Sequence, residues 1–177
     1  MELTQSEFLP LRGQSILRAW TPGILPALMA EGMGLREAQD AARARGHCLF
    51  EGKVRNLIVS AGKELVGDFL IDQETTGLAW HAIGTGSTTP SVSDTQLQTE
   101  VKRKQWTTRD RSGNVLTLSV FYTSAECTYN LQEAGAFGGA GASSTPNSGT
   151  LFSRYLQAYD NSAGNVDLTF DYTLTIG

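Results

Sequence analysis

The residues of this chain whose types and spacing could carry chemistry begin with LAWHAIGTGSTTP, residues 78–90. Gly84-Thr85-Gly86 ends an apolar run, and glycine-bared backbone N–H groups at such a point can cradle a phosphate. A P-loop needs a Gly-Lys-Ser/Thr opening a helix, and no lysine follows here. A dinucleotide fingerprint needs a third glycine within a βαβ unit, and both are missing. The expectation is therefore a sheet corner, with glycine allowing a sharp turn. Ala61-Gly62-Lys63 falls inside a helical pattern and is no better as a cradle.

His81 lies within the apolar segment and reads as a hydrogen-bonded core histidine; the other histidine, His47, has no ligand-like neighbours. Cys48 and Cys127 show no CxxC or Cys/His spacing, so no metal site is expected and both read as buried free thiols. Asp167 and Asp171 are four apart on one face of an alternating segment and read as solvated surface rather than an acid/base pair. Serine-rich loops lack a GxSxG elbow. The basic run at Lys102, Arg103 and Lys104 ends at Trp106, which offers a stacking face for nucleic acid. Against that, the chain carries net charge −4 and a pI near 5.2. Alternating charges on a strand blunt a sheet edge, so Lys102, Arg103, Lys104 and Trp106 are expected at an edge contacting another subunit. No catalytic residue, cofactor or enzymatic activity is expected.

The elements that would position these residues fit one globular domain plus extra length. The chain has 177 residues, 40% hydrophobic and 18% charged, enough for a sizeable core. Charge is uneven: residues 102–111 hold five basic residues and one acidic, while residues 112–177 hold five acidic and one basic. Separate acidic and basic faces can recognise copies of the same chain. The opening MELTQSEFLP does not read as a signal peptide, and no apolar run approaches the roughly 20 residues of a membrane span.

LREAQDAARAR has strong helix formers and no breaker before Gly46. NLIVSAGKELVGDFL places Leu57, Ala61, Leu65 and Phe69 on one stripe, with Asn56 as N-cap. Gly62 and Gly67 in that helix imply close packing on a sheet. From residue 78 onward the pattern is β. VLTLSVFY alternates beyond a Ser112-Gly113-Asn114 turn and predicts a hairpin. CTYNLQEAG and TLFSRYLQAY are further strands, separated by the glycine-rich loop 136–149. VDLTFDYTLTI has the cleanest period of two in the chain. The fold class expected is mainly β, an antiparallel sandwich of jelly-roll type, with one or two N-terminal helices.

Residues 1–34 are broken by Pro10, Pro22 and Pro26 yet rich in large apolar groups. They read as an extended arm that buries Phe8, Leu11, Ile16, Leu17, Trp20 and Leu25 on a partner, or as a segment folded back on its own domain. Residues 1–54 are then an arm with a helix, and residues 55–177 a helix plus a β-sandwich domain.

Five pieces in order carry a resemblance: NLIVSAG (56–62), AIGTG (82–86), NLQEAGAFG (130–138), LFSRYL (151–156) and the closing LTFDYTLTI. Between the second and third lie Asp94, Leu97, Glu100 and Arg103. Over residues 55–177 the chain resembles a recurring kind of tailed-bacteriophage virion protein. The resemblance implies a small β-sandwich of accessory head-decoration or tail-fibre-like subunits and implies no catalytic residues. It also implies that residues 94–103 connect back into the sheet. The function expected is a non-enzymatic virion subunit, first as a capsid-decorating or cement protein anchored through its arm. Tail, neck or baseplate accessory roles are alternatives. So is a carbohydrate-binding host-attachment module in which Trp80, Trp106, Tyr122, Tyr129 and Tyr155 stack on sugars. Expected partners are capsid or tail subunits and further copies of the chain, as a trimer or ring. Such a protein is made in the host bacterial cytoplasm and located in the virion, without membrane or nucleic-acid contact.

Overall fold

The computed structural model describes residues 10–177; Phe8 lies outside the described residues. The chain is mainly antiparallel β. Its strands are β1 (Leu11–Trp20), β2 (Cys48–Ile58), β3 (Leu78–Gly84), β4 (Glu100–Gln105), β5 (Thr108–Ser112), β6 (Val115–Tyr122), β7 (Asn130–Gly138), β8 (Thr150–Asp160) and β9 (Asp167–Ile176). Three α-helices accompany them among the described residues: α1 (Ile24–Ala30), α2 (Leu35–Ala44) and α3 (Ser60–Leu70).

One nine-stranded sheet runs in the order β4-β3-β7-β8-β2-β1-β9-β6-β5. Its two ends, β4 and β5, are consecutive in the chain and separated only by Trp106 and Thr107. At that bend Trp106 donates its backbone N–H to Ala79 of β3, and Thr107 donates to Ser119 of β6. The two ends are thus one bent strand, and the sheet curls until it meets itself. At the opposite corner β2 pairs along its length with β1, then meets β8 only at Leu57 and Ile58. Strands that change sheets at a bend form such corners, and a closed sheet has few free edges. The mainly β, antiparallel class is the one expected, built here as one continuous curled sheet.

Alternation explains the core. Leu168, Phe170, Tyr172 and Leu174 of β9 point inward with Leu118, Val120 and Tyr122 of β6 and Leu17 and Ala19 of β1. Each fully buried large apolar group is worth roughly 1.5–3 kcal/mol. The outer face of β9 is also buried, because α1 and α2 lie across it. Trp20, Leu25, Leu28, Leu35, Ala38 and Ala42 form a second core there. Trp20 Nε1 donates to Thr169 Oγ1 at 2.9 Å.

The N-terminal arm expected over residues 1–34 is corrected from Leu11 onward. β1 is an interior strand, paired antiparallel in unbroken register with β9 on one side and, with one irregularity between Ala19 and Trp20, with β2 on the other. Leu17, Trp20 and Leu25 are 0% exposed within their own chain. Leu11 packs against the main core, and Ile16 is half-buried. The expected boundary between residues 54 and 55 falls inside β2, which runs straight through it. Asn56, expected as a helix N-cap, is a residue of that strand, and α3 starts at Ser60. The tight packing expected of Gly62 is present, since a Cβ there would stand 2.7 Å from Cα of Phe152 in β8, but Gly67, of which the same was expected, has open space around it.

Candidate functional site

Inside the barrel the polar groups converge on His81 of β3. Tyr122 Oη donates to the His81 carbonyl oxygen at 3.0 Å. With its proton so committed, the Tyr122 hydroxyl oxygen accepts from His81 Nδ1–H, also at 3.0 Å, which leaves Nε2 to accept from Tyr155 Oη–H at 2.9 Å. The ring also packs on Phe170 and edge-on to Trp106. Burial without a carboxylate partner pushes the His81 pKa down to about 3. Burial likewise raises Tyr122 and Tyr155, and lifts Tyr172, whose hydroxyl meets Ser153 at 3.0 Å, to about 12. Cys127 is raised to about 11, chiefly by burial. A neutral imidazole between two neutral phenols, all buried, stiffens a core.

A second polar cluster lies on the outer face of β7 and β8, and it shows what Gly84-Thr85-Gly86 does. The carboxylate of Glu133 accepts backbone N–H bonds from Gly86 at 3.2 Å, Gln98 at 3.1 Å and Thr99 at 2.7 Å. A Cβ on Gly84 would stand 2.8 Å from Glu133 Cγ, and one on Gly86 would overlap the carboxylate itself. The backbone does cradle an anion, and that anion is the chain's own. Arg154 closes the cluster: Nε donates to Glu133 at 2.7 Å, and Nη1 to Asp94 at 2.8 Å. Nη2 donates to the Thr88 carbonyl at 3.0 Å. Burial works against the Arg154 charge, but the bonds to Asp94 and Glu133 outweigh it and hold its pKa above the ordinary value. Loop 85–99 is thus pinned to the barrel from three sides.

A similar clamp holds loop 139–149. Arg103 makes a two-pronged pair with Glu100, at 2.5 and 2.7 Å. Its Nη1 donates to the carbonyls of Ser143 and Ser148, both at 3.0 Å, and its guanidinium lies 4.5 Å from the Phe137 ring centroid. Glu100 in turn accepts the Asn147 N–H at 2.8 Å.

These contacts correct the expected subunit edge. Arg103 and Trp106 are buried in their own chain, and Lys104 pairs with Glu126 at 2.8 Å beside the Tyr122 ring. Lys102 is half-buried next to them. Asp167 and Asp171 are also not solvated. Asp167 accepts the N–H groups of Gly23 and Ser124, while Asp171 pairs with Arg18 and faces Gln39 under α2. Of the proposed sugar-stacking aromatics, Trp106, Tyr122 and Tyr155 are buried and present no face.

What reaches solvent is different in kind. Leu49, Leu70, Ile71 and Val92 are each more than half exposed. A groove of about 490 Å³ runs over the outer face of β1, β2 and β9, lined by Arg12, Gln14, Arg55, Thr173 and Thr175. Among the described residues no cluster of three or more His, Cys, Asp or Glu is arranged to hold a metal ion. No helix among them is long and apolar enough to cross a membrane. The chain matches no family model, no curated protein and no solved structure.

Proposed function

We propose that this chain is a non-enzymatic structural subunit of a multi-copy assembly. The resemblance in residues 55–177 points to a tailed-phage particle, with a head-decorating role first and a tail, neck or baseplate role second. One observation carries the reading: the buried ionic clusters are closed within the chain and spent on fixing loops 85–99 and 139–149. Such clusters rigidify a body and commit these charges to holding loops in place. Attachment would then use the surface of the folded barrel, where the exposed apolar side chains lie, rather than residues 11–25. The test is to incubate the purified chain with particles assembled without it and separate heads from tails. Saturable rebinding to one of them supports the role. Protein left entirely in the supernatant at every ratio would remove it.

A further inference from the structure

Among the surface charges outside the internal pairs, two groups of opposite sign are distinguished by their neighbours: one lines a groove and the other flanks exposed apolar side chains. The first is the groove on β1, β2 and β9. Cross-strand register places Arg55, Gln14 and Thr173 in one row and Arg12 beside Thr175 in the next. Lys53 lies two residues before Arg55 on the same strand face. Arg12, Lys53 and Arg55 are exposed, and none has an acidic partner among the described residues. The helices α1 and α2 cover the far half of this sheet face and stop short of the groove.

The second feature is the C-terminal end of α3. Glu64 and Asp68, four residues apart, share one side of the helix, and Asp72 follows at its exit. None has a cationic partner among the described residues. Beside them project Leu70 and Ile71, 82% and 63% exposed, the two most exposed large apolar side chains described. Asp72 carries a positive φ of 57°, so the chain turns sharply there and leaves the pair standing out.

Within one molecule α3 packs on β8, with Leu65 near Gly138 and Gly139 at the end of β7, and no ion pair joins the two features among the described residues. We propose that they meet between molecules: the acidic, apolar-tipped end of α3 of one copy seats in the Arg12–Arg55 groove of the next. A contact between two different patches is head-to-tail, and repetition closes into a ring or extends as a row. That symmetry suits the multi-copy role proposed above, on which this contact rests. Charge complementarity sets the register and speeds encounter, while Leu70 and Ile71 supply apolar area.

The test uses sedimentation velocity of the full chain in low and high salt. The wild-type chain is expected to exceed the 19.1 kDa of one copy as concentration rises, and to fall back toward it in high salt. R12E/R55E and E64K/D68K should each remain monomeric with unchanged circular dichroism. Mixed, they should associate about tenfold more tightly than either alone, because the reversed charges again face each other. A wild-type chain that stays monomeric, reversed variants that associate like wild type, or a mixture that does not associate would each overturn the contact. Association seen only in an E2Q/E7Q chain would put the chain's own N-terminal acids in the groove, and would overturn it too. If particles still bind the chain while self-association fails, this contact is wrong and the structural role stands.

Discussion

Acidification should weaken this fold through His81 in a way that one substitution isolates. The imidazole is neutral, fully enclosed and held between Tyr122 and Tyr155. Its pKa falls from 6.5 in the unfolded chain to about 3 in the folded one. Between those values the unfolded chain binds a proton that the folded chain refuses. The stabilisation is therefore complete above pH 6.5 and is lost as pH falls toward 3. A gap of this size corresponds to about 2 kcal/mol lost at pH 5 and about 5 kcal/mol near pH 3. Carboxylates contribute their own acid sensitivity, so a single titration of the wild-type chain is not diagnostic. His81→Gln keeps one donor and one acceptor for the two phenols but cannot titrate. Urea unfolding of both proteins at pH 8 and pH 5 gives the difference of differences, in which any loss of fit at glutamine cancels. The wild-type chain should lose about 2 kcal/mol more than the variant over this interval. Equal losses in the two proteins would mean that His81 is hydrated or charged in the folded state, and the closed core described above would be wrong.

Trp20→Ala should cost about 3–5 kcal/mol in urea unfolding, because it empties the space under α1 and α2 and leaves Thr169 without its donor; unchanged stability would restore the arm reading. Glu133→Ala leaves Arg154 buried with half its pairing and frees three backbone N–H groups. It should cost about 3–5 kcal/mol, and hydrogen exchange should show Gly86, Gln98 and Thr99 losing protection; protection kept would refute the cradle. Gly62→Ala drives a methyl into the backbone of Phe152 and should cost about 1–3 kcal/mol, whereas the same change at Gly67, with open space around it, should be neutral or mildly stabilising.

Where a strand has one face in the core and the other near solvent, its period of two is visible in the sequence. The β5–β6 hairpin and the run VDLTFDYTLTI were legible for that reason, and α2 for its uninterrupted helix formers. β1 was not. Both of its faces are covered near Trp20, its inward positions include Gly13 and Ser15, and its Arg18 is neutralised by Asp171, so no clean alternation survives. The signal missed in β2 was the charge alternation of Glu51, Lys53 and Arg55; the apolar i, i+4 stripe that begins at Leu57 masked it. The polar clusters were illegible for another reason. Glu133 and Arg154 are 21 residues apart and Asp94 and Arg154 are 60, and only the sheet register brings them together. Gly84-Thr85-Gly86 read only as a sheet corner, because nothing local identified Glu133 as the anion that its backbone meets.

Quantitative mass spectrometry of purified particles tests the structural role most directly. A subunit built to be fixed in place should appear at one constant ratio to the major shell or tail protein across preparations and through density-gradient and salt washes. A chain abundant in the infected lysate but absent from washed particles would contradict that role, whatever the fate of its surface contacts.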